Sequence, residues 1–137
     1  EPNLLILELT HGVNEGVDVV DAALTELRDG GVRIALDDFG MATSLADLKR
    51  LPIDIVKLAR EFVNDVNGAT EQGVFATTLI NLADSRGVEV VAKGVESREQ
   101  AWRLAELGCR FGQGFFFSKP LGASGMLSVL RQGTLRG

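Results

Sequence analysis

Short apolar runs alternate along the chain with longer segments in which apolar residues recur every three or four positions. The short runs predict β-strands over 4–9, 32–37, 54–59 and 88–92, and a last strand within 109–117. The helical spacing predicts helices over 17–28, 44–50, 69–86, 98–107 and 122–131. Ser44 and Ser97 stand where an N-cap is expected for two of these helices.

This alternation of strands and helices is typical of an α/β fold with parallel strands and helical crossovers. The strands are almost wholly apolar, which predicts a sheet covered on both faces. Two architectures fit, an open doubly wound sheet or part of a (β/α)8 TIM-type barrel. A complete barrel needs about 250 residues, so the 137 residues here would form about five parallel β-α units, little more than half of one.

The polar residues of interest share one position, at or near the carboxyl end of a predicted strand. They are Glu8, Asp37, Asp38, Lys57, Lys93 and Gln113. In α/β folds, ligands and catalytic residues gather at that edge of the sheet. The placement therefore favours the barrel and predicts a functional site at its mouth.

Three of these residues are carboxylates, and carboxylates brought together repel one another unless a cation lies among them. Oxygen ligands suit Mg²⁺ or Mn²⁺, which can activate water and neutralise a phosphate. The other interpretation is that Asp37 and Asp38 simply begin a turn with Phe39 and Gly40. A pair of aspartates alone would favour the turn, but Glu8 at a matching strand end favours a site.

Lys93 closes an apolar strand, where an ammonium group is costly to bury without a partner. One hypothesis is that its charge replaces part of a metal ion's charge and holds Glu8, Asp37 and Asp38 together. The alternative is that the side chain extends out to solvent. Gln113 lies between two glycines, which let a backbone approach a ligand closely but also suit an ordinary loop.

Charge and cysteine content narrow the class of protein. The net charge is −5 and the 14 lysines and arginines are dispersed, which argues against nucleic acid or an anionic membrane as partner. No apolar run approaches the roughly 20 residues that span a bilayer. One cysteine, Cys109, permits no internal disulfide and suits the cytoplasm, either alone or within a larger membrane-attached protein. We expect Cys109 to be buried and His11 to lie in a solvated loop.

Six motifs occur in order, namely LELT (7–10), ALDDFG (35–40), LKRLPID (48–54), VKLAR (56–60), VVAKGVES (90–97) and LGCRFGQGFFFSKPL (107–121). Together they closely resemble the EAL domain, the family of bacterial cyclic di-GMP phosphodiesterases and their inactive relatives. The resemblance covers residues 4 to 121. It implies a modified (β/α)8 barrel, with residues 1–137 as the C-terminal portion of a single EAL-type domain.

The resemblance also implies an activity, the hydrolysis of cyclic di-GMP to linear pGpG with Mg²⁺ or Mn²⁺. Carried over by position, Glu8 and Asp37 would be metal ligands and Asp38 would hold a second metal ion. Lys57 would orient the attacking water and the phosphate. Glu96 would brace the loop that follows Asp38.

Several positions depart from the family at places where it has an acidic residue. His11 follows the LT of the first motif, Ala59 interrupts the VKLAR motif, and Lys93 replaces a glutamate that catalysis requires. The loop over 40–44 is one residue shorter than usual, which bears on the usual dimer. The Glu-Ala-Leu signature and the metal-binding asparagine after it do not occur in the chain. We therefore expect poor occupancy of the remnant metal site.

The expected ligand is cyclic di-GMP, with Gln113 lining its site. Binding by this chain alone should be weak, because half of the family's site is missing from it. Other expected partners are the further domains of a larger signalling protein and a second copy of the domain in a homodimer.

Three hypotheses follow. The first is a catalytically impaired EAL domain that acts as a receptor or regulatory module. The second is an active phosphodiesterase completed by residues outside this chain, since Glu8, Asp37, Asp38 and Lys57 are retained. The third is a protein-interaction module, because a half-barrel exposes two strand edges and an apolar face.

Overall fold

A computed structural model describes residues 1–10, 17–41, 45–68 and 70–132. Within these ranges five strands form one sheet, and each strand lies parallel to the next in chain order. The strands are β1 (Ile6–Leu9), β2 (Arg33–Phe39), β3 (Ile55–Leu58), β4 (Glu89–Lys93) and β5 (Phe111–Gln113). The predicted α/β architecture of five parallel units is confirmed.

Six α-helices accompany the sheet in the described part of the chain. They are α1 (Val17–Asp29), α2 (Leu45–Arg50), α3 (Arg60–Asn64), α4 (Glu71–Ser85), α5 (Arg98–Glu106) and α6 (Ala123–Gln132). The apolar spacing predicted all of them except α3. Helix α3 has five residues, little more than one turn, so it is too short to show a helical period in the sequence. A 3-10 turn over Pro2–Leu4 precedes β1.

Side-chain caps fix the start of two helices. The Ser97 hydroxyl accepts from the backbone N–H of Gln100, whose side chain accepts from the N–H of Ser97, so α5 begins with a complete capping box. Thr70 accepts from the backbone N–H of Gly73 at the start of α4. The predicted cap at Ser97 is confirmed, whereas Ser44 and the loop over 42–44 lie outside the described residues.

The core lies around β2, β3 and β4, where the sheet packs against its helices. The largest fully buried side chains are Phe39, Ile34, Leu36, Leu58, Ile80, Val63 and Val95. Cys109 joins this core with 6% exposure, as expected, and burial raises the pKa of its thiol. No helix in the described residues has both the length and the apolar content to cross a bilayer.

The expectation that both faces of every strand are covered is wrong for the outer strands. Ile6 and Leu7 of β1 are 44% and 39% exposed, and Phe111 of β5 is 49% exposed. Within the described sheet, β1 pairs only with β2 and β5 only with β4, so each is an edge strand with less apolar cover. An apolar sequence run alone does not distinguish an edge strand from a central one.

The register of the sheet brings the strand ends together. Glu8 lies opposite Ala35, Lys57 opposite Val91, and Lys93 opposite Gln113. Between β2 and β3 the register shifts after Leu36. The carboxyl ends of all five strands therefore lie along the same edge of the sheet, as expected for parallel pairing.

Candidate functional site

Two consecutive aspartates, Asp37 and Asp38, lie near the carboxyl end of β2, just before its last residue Phe39. Asp37 is buried, with 8% of the surface of the whole residue exposed. Asp38 adopts φ +45°, and among the described non-glycine residues it alone has a positive φ. Consecutive side chains of a regular strand point to opposite faces, so the left-handed conformation at Asp38 breaks that alternation. As a result, both carboxylates reach the same cation.

That cation is Lys93, the last residue of β4. Its Nζ lies 2.8 Å from Oδ1 of Asp37 and 2.7 Å from Oδ1 of Asp38. The Lys93 side chain is 25% exposed and that of Asp37 is 12% exposed. The geometry agrees with the hypothesis that Lys93 pairs with carboxylates for Asp37 and Asp38, and not with the alternative in which it extends to solvent. The hypothesis is wrong for Glu8, whose recorded ion pair is with Lys57.

The charges of this group shift two pKa values in opposite directions. Burial would raise the pKa of Asp37, but the hydrogen bond from Lys93, a backbone hydrogen bond from Asp38 and the charge of Lys57 together lower it below the ordinary value. Burial would lower the pKa of Lys93, but its hydrogen bonds to the two aspartates raise it. Both shifts favour the charged pair.

A second ion pair lies beside the first. The Nζ of Lys57, from β3, donates to both carboxylate oxygens of Glu8, from β1, at 2.9 Å each. The Lys57 side chain is 12% exposed and that of Glu8 is 45% exposed. Glu8, Asp37, Asp38, Lys57 and Lys93 together form what we call the carboxylate–lysine cluster.

Glu96 forms an ion pair with Arg60, a residue for which the sequence predicted no role. Its carboxylate pairs with the guanidinium of Arg60, the first residue of α3. Gly94, between β4 and Glu96, has φ +69°, and an added Cβ there would lie 2.5 Å from Cγ of Arg60. The position of Arg60 two residues after the end of β3 was the signal that could have identified it. The expected support of the loop after Asp38 by Glu96 stays a prediction, because residues 42–44 lie outside the described ranges.

Gln113 ends β5 next to Lys93 in the register, but it is exposed and lines a separate groove. The groove, about 360 Å³, lies between the segment after β5 and α6, and its lining includes Phe115, Lys119 and Met126. Gln113 is thus a neighbour of the carboxylate–lysine cluster and not part of its ion pairs. His11 lies outside the described residues.

The three carboxylates do not fit a divalent ion in this arrangement. Across the described ranges, no group of three His, Cys, Asp or Glu side chains is placed to hold a metal ion. Glu8 is engaged by Lys57, and both aspartates are engaged by Lys93. The expected metal ligands instead face ammonium groups. Ala59, where the resemblance led us to expect a carboxylate, is fully buried and offers no oxygen ligand.

Comparison with known proteins identifies the family. Residues 1–120 match the family model described as the EAL domain. The chain belongs to the EAL domain family. It is 33% identical over 118 residues to the cyclic di-GMP phosphodiesterase PdeA of Borreliella burgdorferi, covering 85% of this chain and 18% of that protein. It is 36% identical over 129 residues to the cyclic di-GMP phosphodiesterase NbdA of Pseudomonas aeruginosa, covering 93% and 16%.

Solved EAL structures share the fold, which is of the TIM-barrel type. The EAL domain of Mycobacterium smegmatis DcpA superposes with a TM-score of 0.93 at 35% identity, covering 99% of this chain and 62% of that one. A manganese and cyclic di-GMP complex of Klebsiella pneumoniae BlrP1 superposes with a TM-score of 0.80 at 33% identity, covering 88% and 31%. This EAL domain chain therefore spans less than a fifth of these curated relatives and 62% of the DcpA structure.

Proposed function

We propose that this EAL domain is a receptor or regulatory module in cyclic di-GMP signalling whose hydrolytic capacity is impaired. In this proposal, residues 1–137 are the C-terminal portion of one EAL domain. The observation that carries it is the pairing of the Lys93 ammonium with both Asp37 and Asp38. The names of the relatives and the nucleotide complex of BlrP1 support the ligand class.

The impairment follows from the chemistry of the side chains. The protonated Lys93 amine has no lone pair, so it can neither bind a metal ion nor act as a base. The raised pKa of Lys93 keeps it protonated at neutral pH. The carboxylates that would hold a water-activating metal are each engaged by an ammonium group, so none of them is a free general base.

Recognition of the nucleotide places fewer demands on the site than hydrolysis does. Lys57 and Lys93 carry positive charge at the mouth of the sheet, and charge-assisted hydrogen bonds to phosphate are among the stronger polar contacts. Gln113 offers both a donor and an acceptor at the neighbouring strand end. We expect weak binding by residues 1–137 alone and tighter binding by the full-length protein.

A turnover assay tests the proposal. The full-length protein is incubated with cyclic di-GMP and either Mg²⁺ or Mn²⁺, and pGpG is measured by chromatography. We expect negligible product together with saturable binding of cyclic di-GMP in a calorimetric titration. Robust turnover to pGpG would contradict the proposed impairment, and a lack of nucleotide binding would contradict the receptor role.

The retained acidic residues favour a second candidate, an active phosphodiesterase completed by the remainder of the barrel. Glu8, Asp37 and Asp38 all reach the same strand edge as Lys57. The Lys93→Glu variant separates the two candidates. An impaired parent should gain metal affinity and turnover from the change, whereas an active parent should not need it.

A further inference from the structure

The carboxylate–lysine cluster carries its own cations. Two ammonium groups stand against three carboxylates, and every one of the five charges has an opposite charge within 2.9 Å. The paired residues are far apart in sequence, since Lys93 is 56 residues from Asp37 and Lys57 is 49 residues from Glu8. The pairing is therefore a product of the sheet register rather than of local sequence.

We infer that the Lys93 ammonium is a built-in cation that takes the place of a divalent metal ion at this site, so that phosphate recognition there requires no metal. This deepens the proposed function and rests on it only in taking the strand ends as the nucleotide site. The arrangement of the acidic groups around Lys93 is an observation that stands by itself.

The surroundings of Lys93 hold it in this position. Its stem leaves β4 between Ala92, which is fully buried, and Gly94 at φ +69°. The carboxylate of Asp37 is nearly buried, so it could release Lys93 only by losing its closest counter-charge in a poorly solvated place. A dication entering between Asp37 and Asp38 would also meet the ammonium as a like charge at short range.

The cluster retains a means of contacting a phosphate. An ammonium group has three N–H donors, and the described contacts of Lys93 use two of them, one on each aspartate. The third donor is available to a phosphate oxygen. The cluster as a whole has one net negative charge, whereas a glutamate at position 93 would give it three. A phosphodiester anion therefore meets much less repulsion without added metal.

Titration with Mn²⁺ in the absence of nucleotide tests the inference directly. Free Mn²⁺ is followed by electron paramagnetic resonance in the presence of the full-length protein, its Lys93→Glu and Lys93→Met variants, and a matched Lys49→Glu control. Lys49 is an exposed lysine in the last turn of α2, so this control reverses the same charge away from the cluster. Circular dichroism verifies that each variant is folded.

We expect the wild-type chain and Lys49→Glu to leave free Mn²⁺ unchanged. Lys93→Glu should deplete free Mn²⁺ at concentrations at least about tenfold below any at which the wild type does, because a like charge is exchanged for an acidic ligand. Lys93→Met removes only the charge and should give a smaller gain, and it keeps the test decisive if Lys93→Glu does not fold. Specific Mn²⁺ binding by the wild type, or no gain in any folded Lys93 variant, would overturn the inference.

A second titration uses cyclic di-GMP and the full-length protein, with Mg²⁺ or with EDTA. Equal affinity under both conditions is the expected result. Loss of cyclic di-GMP binding in EDTA would overturn the inference that Lys93 replaces the metal ion, while leaving the receptor role intact. Failure to bind under either condition would overturn the receptor role, and the Mn²⁺ titration would still decide the inference about Lys93.

Discussion

At the scale of single residues, the chemistry of this EAL domain depends on how Asp37 is neutralised. Its side chain is 12% exposed, and the Lys93 ammonium lies 2.8 Å from its carboxylate. Removing one partner of a buried pair costs more than the pair itself contributes, because the remaining charge is left without compensation. Asp38 is half exposed, so water can replace Lys93 there. Asp37 is thus the group that makes Lys93 important for stability.

We predict that Lys93→Met lowers the free energy of unfolding by about 1–3 kcal/mol, because the Asp37 carboxylate loses a charge-assisted hydrogen bond. Chemical denaturation of the wild type and the variant measures the difference. The matched control is Lys49→Met on exposed α2, where we expect a change within about 0.5 kcal/mol. Equal stability of the two variants would show that the pair has no net effect.

The same pair predicts a dependence of stability on pH. The pKa of Asp37 is lowered in the folded state, so its contribution is present above the unfolded pKa and is lost as the pH falls through the folded value. The pKa of Lys93 is raised, so its contribution is present below the unfolded pKa and is lost as the pH rises through the folded value. The pair therefore stabilises the fold between these two limits.

Melting temperatures of the wild type and Lys93→Met across the pH range test this prediction. The difference between them should be constant near neutral pH and should shrink below about pH 4, where carboxylates of ordinary pKa become protonated in the unfolded chain. A difference that persists undiminished in strong acid would exclude the Asp37–Lys93 pair as its source.

At the scale of elements, the short strand β5 depends on close backbone contact with the segment that follows β4. The N–H of Val95 donates to the carbonyl of Gln113 at 3.0 Å, and the N–H of Phe116 donates to the carbonyl of Val95 at 3.1 Å. Gly114 lies between these bonds, and an added Cβ would collide with the backbone of Val95. The glycine that follows Gln113 is therefore required by packing, whichever ligand the site takes.

We predict that Gly114→Ala destabilises the fold by about 2–4 kcal/mol, since backbone atoms of Val95 would have to move. Gly122→Ala is the matched control, because no atom lies within 4 Å of its added Cβ and its φ is not positive. Thermal unfolding of both variants makes the comparison. If Gly114→Ala were as stable as Gly122→Ala, the close contact between the two segments would be wrong.

At the scale of the whole molecule, one core connects the sheet to its helices, and Cys109 reports on it. The thiol is buried, its pKa is raised by that burial, and it lies near the carbonyl of Val90 in β4. A thiol reagent reacts with the thiolate, so both burial and the raised pKa slow the reaction. Reaction at Cys109 should therefore require opening of the core.

We predict that Cys109 reacts with a disulfide reagent at least about a hundredfold more slowly in the native chain than in denaturant, because reaction follows the small open fraction. Absorbance of the released thiolate measures both rates. Destabilising variants such as Gly114→Ala should accelerate the native reaction by the factor by which they raise the open fraction, about tenfold for each 1.4 kcal/mol of lost stability, and Gly122→Ala should not. A native rate close to the denatured rate would contradict the burial of the thiol.

The sequence by itself determined the order of the five strands and of every described helix except α3, the parallel α/β class and the residues that meet at the strand ends. These features depend on local periodicity, and parallel pairing brings carboxyl ends together whatever the register. The ordered motifs also determined the family, which the match over residues 1–120 confirms.

Only the tertiary structure decided which charge pairs with which. The choice between Lys93 facing solvent and Lys93 facing the aspartates depends on the register of β4 and on the positive φ of Asp38, to which no local pattern points. The exposure of β1 could not be predicted either, because an edge strand and a central strand have the same apolar pattern. Helix α3 could not be predicted because a single helical turn is too short to show a period in the sequence. Lys93 contacts aspartates more than 50 positions away in the sequence. Such contacts are set by tertiary packing, so packing determined which charges meet at this site.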